Sequence, residues 1–208
     1  MHSAPAYRVG LWGPTMAGRP LETLMSDENA VGANNCADLS MPVTVRDHIE
    51  GSIDAPIVLL EYGDYECPDC LNAWPIVKQL RGAMGDRLGF AFRHYPQSSI
   101  HPHASAAAQA AEAAGSQGKF WEMHDLLFRN QKKLDQLDMT HLALQLGLEV
   151  YQFQADFERA SHVQRIREDV QSGQQSGVGG TPTFYINGCH YRGAVDLPSM
   201  LKAINAPN

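Results

Sequence analysis

Residues 57–70 read IVLLEYGDYECPDC and contain the strongest local signals for the fold. Its first part, Ile57-Val58-Leu59-Leu60-Glu61, is an apolar run bounded by Asp54-Ala55-Pro56 before it and Gly63-Asp64 after it, a pattern that predicts a buried strand. Pro68 suits the first position of a helix, because the N–H group that proline lacks is not needed there. The stretch therefore predicts a strand, a turn and a helix that begins at two cysteines.

The sequence that follows continues an α/β order. Leu71 and Trp74 begin the apolar face of the predicted helix, and Pro75 is expected to kink it. A second strand is predicted over Leu88–Tyr95, before a proline. Because a strand–helix–strand order favours parallel pairing, Cys67 is expected at the carboxyl edge of the sheet.

A long helical region comes next, and strands return near the C-terminus. Apolar stripes at helical spacing predict helices over His103–Ala114, Lys119–Asn130, Thr140–Leu146, Val150–Ala160 and His162–Ser176. Asn187-Gly188 lies between the predicted strands Thr183–Ile186 and Cys189–Tyr191 and is typical of a β-hairpin turn. A last helix is predicted over Asp196–Ile204, with Asp196 as its N-cap.

This order predicts an α/β fold class, namely a thioredoxin fold with a helical domain inserted between its βαβ and ββα halves. Residues 43–102 and 177–208 would form the thioredoxin-like domain, and residues 103–176 the inserted helical domain. Residues 1–42 have no sustained period of 2 or 3.6, so we expect an irregular N-terminal extension outside the core.

Composition limits the classes of function. The 208 residues carry a net charge of −7, so no basic field favours nucleic acid or an anionic membrane surface. No uninterrupted apolar run approaches the ~20 residues of a membrane-spanning helix, and the first thirty residues lack the ~7–15-residue apolar core of a secretory signal. The expected location is cytoplasmic, or periplasmic if a native leader is missing from this sequence.

The C-x-x-C formed by residues 67–70 has a physical rationale as a redox centre. At a helix start, free backbone N–H groups and the positive end of the helix dipole stabilise a thiolate, so the pKa of Cys67 should fall below ~8.5. Cys70 lies one turn further on, where it can close a ring onto Cys67 and expel a bound substrate thiol. The alternatives are half of a zinc site or two inert thiols.

Several ordered segments make the chain similar to the DsbA-like thioredoxin family over about residues 43–205. One of them, Gly177-Val178-Gly179-Gly180-Thr181-Pro182-Thr183, also favours a cis X-Pro bond at the start of a strand. The matching segments are Asp64-Tyr65-Glu66-Cys67-Pro68-Asp69-Cys70, Phe92-Arg93-His94-Tyr95-Pro96, Ala106-Ala107, Gly118-Lys119-Phe120-Trp121, His124-Asp125-Leu126-Leu127-Phe128, Leu146-Gly147-Leu148 and Gly177 to Phe184.

The resemblance implies a thiol–disulfide oxidoreductase in which Cys67 attacks and Cys70 resolves. It also implies a substrate-binding edge, where cis-Pro182 faces the cysteine pair, the backbone of Thr181 binds an extended substrate segment and Gly180 allows close approach. The family places an acid at the position of Glu61, so we expect this carboxylate to relay the proton of Cys70. The alternative for that residue is a strand-end charge that reaches solvent.

The centre of the motif, Pro68-Asp69, departs from the Cys-Pro-His-Cys of the strongly oxidising members. Asp69 should destabilise the Cys67 thiolate through like charge, which predicts a more reducing couple. Asp64 and Glu66 add further acid, which would repel acidic substrates or only solvate the rim.

We expect no bound cofactor, because a redox-active disulfide between Cys67 and Cys70 stores the two electrons itself. No metal is expected either, since His101 and His103 are two residues apart and do not share a helical face. Cys36 and Cys189 are each interpreted as plain free thiols, with an auxiliary redox role as the alternative.

The expected partners are thiol- or disulfide-containing proteins, with glutathione as a small-thiol candidate. Two other classes of function stay open. One is a glutathione-linked transferase or isomerase on the same fold, although such an enzyme would normally lack the resolving Cys70. The other is a non-catalytic module that binds zinc or client proteins.

Overall fold

The computed structural model describes residues 38–136 and 139–206. Within them, a five-stranded sheet has the order β1-β3-β2-β4-β5. Its strands are β1 His48–Glu50, β2 Ile57–Gly63, β3 Leu88–His94, β4 Thr183–Ile186 and β5 Cys189–Tyr191. The helices are α1 Pro68–Met84, α2 Ala104–Gly115, α3 Phe120–Arg129, α4 Met139–Gln145, α5 Val150–Glu158, α6 Val163–Gln175 and α7 Leu197–Ile204. Two short 3-10 segments, Gly85–Arg87 and Gln131–Gln136, follow α1 and α3.

The predicted architecture is confirmed. Strands β2 and β3 pair in parallel, with Ile57 beside Leu88, and β4 pairs antiparallel to β2. Helices α2 to α6 lie between β3 and β4 in sequence, as the inserted helical region requires. The hairpin turn is formed by Asn187 and Gly188, both at positive φ, which is the backbone conformation that this residue pair favours.

Strand β2 forms the centre of the molecule because its side chains alternate between two apolar clusters. Leu59 belongs to the larger cluster, which includes residues of α1, α3 and α7, whereas Leu60 belongs to the smaller one. Both residues are fully buried. This packing fixes the end of β2, and with it the loop that leads to Cys67.

The folded part begins earlier than the sequence predicts. Leu39 packs against the smaller apolar cluster, and the carbonyl oxygens of Met41 and Pro42 accept hydrogen bonds from the buried Arg93 guanidinium. Residues 38–42 therefore pack against the core, which corrects the expectation for this part of the extension. The rest of it, residues 1–37, lies outside the described residues.

The N-cap of the last helix agrees with the prediction, whereas the short edge strand was not predicted. The Asp196 side chain accepts a hydrogen bond from the Ser199 backbone N–H at 2.8 Å, so the predicted N-cap of α7 is confirmed. Helix α1 continues through Pro75. Strand β1 was not predicted, because a three-residue strand shows too little alternation to be recognised.

No helix in the described ranges is both long and apolar enough to cross a membrane.

Candidate functional site

The two cysteines lie where β2 turns into α1. Cys67 is the N-cap residue of α1, and Pro68 occupies its first turn, as the sequence predicts. Both cysteines are free thiols, and both are buried, with exposed fractions of 5% for Cys67 and 0% for Cys70. The structure therefore shows a reduced dithiol whose first sulfur is the more accessible one.

The pKa values of the two thiols move in opposite directions. A hydrogen bond from the Cys70 side chain is the main cause that lowers the pKa of Cys67 to about 5, against the opposing effect of its burial. The Thr181 side chain and the backbone N–H groups of Cys70 and Asp69 lower it further. Burial, followed by the hydrogen bond to Cys67, raises the pKa of Cys70 well above 9.0. Cys67 is therefore the thiolate of the pair near neutral pH.

Glu61 lies behind the cysteines, two residues before the end of β2. Its exposed fraction is 2%, and it makes a hydrogen bond with Cys70. Burial, followed by the negative charge of Cys67, raises its pKa to about 8. Its Oε1 atom has no hydrogen-bond partner among the described residues. Glu61, Lys78 and Arg81 are among the residues that line a cavity of about 10 Å³, which has room for about one water molecule.

The loop before β4 lies against the first cysteine. The Thr181–Pro182 peptide bond is cis. The Cys67 thiol donates a hydrogen bond to the Thr181 carbonyl oxygen at 3.1 Å, and the Gly180 carbonyl oxygen accepts one from the Thr183 hydroxyl. The three residues of the expected substrate-binding edge are thus together beside Cys67.

Two glutamines next to Cys67 were not found from the sequence. The Gln97 side chain donates a hydrogen bond to the Thr181 hydroxyl at 2.8 Å, while the Gln97 backbone N–H donates to Asp64. The Gln131 side chain donates to the Cys67 carbonyl oxygen, also at 2.8 Å. No local pattern marks either glutamine, because each comes from a connecting segment that only the folded chain brings to the site.

The acids around the motif have distinct partners. His101 contacts Asp64 at 2.7 Å, and His103 contacts Glu66 at 2.9 Å. The two histidines therefore bind two different carboxylates, which join residues 101–103 to the turn before α1. Asp69 is exposed in the first turn of α1.

A second buried polar cluster lies away from the cysteines, between the sheet and the inserted helices. Glu112 Oε1 accepts hydrogen bonds from His48, His94 and Arg165, at 2.8 to 3.1 Å. Asp169 accepts one from the His94 backbone N–H. His94, Glu112 and Asp169 lie close enough together to hold a metal ion. Glu112 Oε1 and one Asp169 oxygen, however, already accept hydrogen bonds within the protein, and one of the donors to Glu112 is the cationic Arg165 side chain. The contacts favour a network that joins β1, β3, α2 and α6.

The expectation for one of the other cysteines was wrong. Cys189, at the start of β5, is disulfide-bonded rather than a free thiol. No second cysteine lies near Cys189 along the chain, so no local pattern marks it as half of a disulfide. Cys36 lies outside the described residues.

Comparisons with known proteins agree on the fold. The profile of a family described as thioredoxin matches residues 43–206. BdbD from Bacillus subtilis has a TM-score of 0.66 at 22% identity, over 76% of this chain and 90% of its own. Alpha-DsbA1 from Wolbachia pipientis has a TM-score of 0.68 at 18% identity, over 82% of this chain and 94% of its own. A thioredoxin-like oxidoreductase from Silicibacter pomeroyi has a TM-score of 0.65 at 24% identity, with coverages of 83% and 96%.

Curated relatives share more sequence but are much longer. Na(+)/H(+) antiporter NhaA 1 from Mycobacterium sp. (strain KMS) is 43% identical over 163 residues, which are 77% of this chain and 27% of that protein. The protein of the same name from Salinispora arenicola is 41% identical over 170 residues, with coverages of 81% and 26%. The chain thus spans about a quarter of the length of the curated relatives it matches.

Proposed function

We propose, on the premise that the chain belongs to the thioredoxin family and has the fold of its DsbA-like members, that it is a thiol–disulfide oxidoreductase. The observation that carries the proposal is the contrast between its two sulfurs. The thiol of Cys67 has a pKa of about 5, while the pKa of Cys70, one turn away, is raised. A nucleophile that is ionised at neutral pH, next to a sulfur that keeps its proton, is the arrangement that two-step disulfide exchange needs.

In the first step, the Cys67 thiolate attacks one sulfur of a substrate disulfide. A bond forms between that sulfur and Cys67, the substrate S–S bond breaks, and the other substrate sulfur leaves as a thiolate. In the second step, Glu61 first loses its own proton to solvent, and the carboxylate then takes the proton of Cys70, whose sulfur attacks the Cys67 sulfur. The Cys67–Cys70 disulfide forms, the second substrate sulfur leaves as a thiolate, and the substrate has gained two electrons from the protein. The same two steps in the opposite direction oxidise a dithiol substrate.

The substrate segment would lie along the loop before β4. Thr181 and Pro182 are beside the Cys67 sulfur, and Gly180 precedes them without a side chain to obstruct an extended backbone. A backbone N–H or carbonyl group of the substrate then pairs with the backbone of Thr181. This arrangement suits a protein substrate, and it also admits a small thiol such as glutathione.

No bound cofactor is proposed, because the dithiol itself carries the two electrons. The antiporter activity in the names of the curated relatives is not part of the proposal, since the chain spans only about a quarter of those proteins.

For the location, the disulfide at Cys189 favours an oxidising compartment, the periplasmic alternative, over the cytoplasm.

The test is disulfide reduction with dithiothreitol as electron donor, using insulin as substrate. The native protein should catalyse the reaction, and Cys67→Ser should abolish it. Cys70→Ser should accumulate a mixed disulfide with the substrate, visible by mass spectrometry, because attack can occur but resolution cannot. Normal turnover by Cys70→Ser would refute the two-cysteine mechanism. A stoichiometric zinc content that disappears in both variants would instead favour the zinc-binding alternative.

A further inference from the structure

An open groove of about 490 Å³ lies beside α1, between that helix and the chain that leaves α3. Apolar side chains that are buried or half-buried and exposed cationic side chains line it together. The apolar side chains are Leu71, Trp74 and Phe128. The exposed cations are Arg129, Lys132 and Lys133. We refer to these six residues as the basic groove.

The basic groove is adjacent to the reactive sulfur. The Cys67 carbonyl oxygen accepts hydrogen bonds from the Leu71 backbone N–H at 3.1 Å and from the Gln131 side chain at 2.8 Å. Since a helix rises 1.5 Å per residue, Trp74 lies about 10 Å along α1 from Cys67. Three or four residues of an extended peptide cover this distance. A substrate whose cysteine is at Cys67 therefore reaches the groove with residues close to that cysteine.

The charge of this region is opposite to that of the whole chain. Lys78 lies beside the groove and pairs with Asp125, which also contacts Arg129 at 3.4 Å. With Lys132 and Lys133, these residues make four cations and one carboxylate, a net charge of +3 in a chain of −7. Anionic groups are attracted to this part of the described surface.

Asp69 does not cancel this charge in the groove. It precedes Leu71 by two positions in α1, and two positions on a helix are about 160° apart around the axis. Asp69 therefore lies on the opposite side of α1 from Leu71. It faces the other flank of a substrate that is bound at Cys67.

The apolar part of the groove is held in place by its own contacts. The Trp74 indole N–H donates a hydrogen bond to Asp125 at 2.9 Å. Lys78 Nζ lies 5.0 Å from the centre of the Trp74 ring, and the Arg129 guanidinium carbon lies 5.8 Å from it. The ring is also stacked against Phe128. A preformed apolar surface with cations at its rim loses little entropy when a peptide binds.

We propose that the basic groove binds an acidic segment of a protein substrate, next to the cysteine that Cys67 attacks. The inference rests on the proposed function and names the class of substrate for it. Aspartate or glutamate side chains of the segment pair with Lys132, Lys133 and Arg129, while an apolar side chain packs on Trp74. The negative charge of the rest of the chain directs such a partner to the groove, because it repels the partner elsewhere.

The experiment uses three peptides, each containing one disulfide. They differ only in the residues that flank the cysteine, which are glutamate in the acidic peptide, glutamine in the neutral peptide and lysine in the basic peptide. For the native protein, kcat/KM for reduction should follow the order acidic, neutral, basic. In the double variant Lys132→Glu/Lys133→Glu, kcat/KM for the acidic peptide should fall about tenfold, which corresponds to about 1.4 kcal/mol and to two exposed ion pairs. The value for the neutral peptide should stay within about twofold, which also shows that the variant is folded.

The matched control is Arg167→Glu/Lys202→Glu, which changes the net charge equally at two exposed cations outside the groove. This control should leave the order of kcat/KM for the three peptides as it is in the native protein. A control that lowers kcat/KM for the acidic peptide as much as the groove variant does would overturn the proposal, because net charge alone would then explain the preference.

Two outcomes separate this inference from the proposed function. If the native protein reduces none of the three peptides, the proposed function fails. If it reduces all three at equal rates, the function stands and the acidic preference is refuted.

A cysteine-free acidic peptide gives a readout without catalysis. Measured by calorimetry, it should bind the native protein more tightly than the glutamine peptide does, and this difference should be lost in Lys132→Glu/Lys133→Glu.

Discussion

Replacing Glu61 with glutamine should stabilise the reduced protein by an amount that grows with pH. Burial raises the pKa of Glu61 from 4.5 to about 8 in the folded protein. Below pH 4.5 the carboxyl is protonated in both the folded and the unfolded chain, so it has no effect on stability. As the pH rises, the unfolded chain ionises first, and the folded protein loses relative stability until the folded carboxyl also ionises. Glutamine has the same shape and cannot ionise.

The magnitude follows from the pKa difference. Each pKa unit corresponds to about 1.4 kcal/mol, so a rise from 4.5 to about 8 costs at most about 5 kcal/mol above pH 8. At pH 7 the cost is about 3 kcal/mol, because the unfolded carboxyl is then ionised and the folded one is still mostly protonated. The assay is urea unfolding of the reduced native protein and of Glu61→Gln, at about pH 4, 7 and 9. The two proteins should differ little at the lowest pH.

Glu158→Gln is the control, because Glu158 is exposed near the end of α5 and its replacement should change stability equally little at each pH. A stability difference between Glu61→Gln and the native protein that does not depend on pH would refute the reasoning. It would show that the Glu61 carboxyl titrates alike in the folded and unfolded chain, and hence that it is not the buried proton acceptor of the mechanism.

Three further variants test neighbouring parts of the structure. Glu112→Ala should lower the free energy of unfolding by about 3–5 kcal/mol at neutral pH, since it leaves the buried His94 and the half-buried His48 and Arg165 without their acceptor; urea unfolding measures this. Gln97→Leu should raise the pKa of Cys67, measured by thiolate absorbance, because the Thr181 hydroxyl would lose the hydrogen bond that orients it. Asp69→His should lower the pKa of Cys67 by at most about one unit and make the couple up to roughly 30 mV more oxidising against glutathione, with solvent screening reducing both effects. An unchanged or higher pKa would contradict the assigned role of Asp69.

The elements that the sequence predicts well are those with strong local signals. An aliphatic run bounded by turn residues gives β2, a proline at the first helical position gives the start of α1, and Asn187-Gly188 gives the hairpin. These elements fix the places of Cys67 and of the loop before β4, so the centre of the site could be predicted without coordinates.

The parts that could not be predicted depend on contacts between distant segments. Gln97 reaches Thr181 across 84 positions, and Gln131 reaches Cys67 across 64. An amide side chain in a connecting segment has no periodicity that would show its partner. The pairing of Asp64 with His101 has the same origin, and it shows that this buried acid joins two segments of the chain.

The order of the two chemical steps follows from one hydrogen bond. The contact between the Cys70 thiol and the Cys67 sulfur lowers the pKa of Cys67 and raises that of Cys70, and the negative charge of Cys67 also raises the pKa of Glu61. Once Cys67 is bound to a substrate sulfur, it carries no charge. The charge and the hydrogen bond of Cys67, which raise the pKa of Cys70 in addition to its burial, are then lost, and Glu61 ionises more easily. The attack by Cys67 therefore favours both ionisation of the resolving sulfur and that of its proton acceptor, so Cys70 becomes more reactive once there is a mixed disulfide for it to resolve.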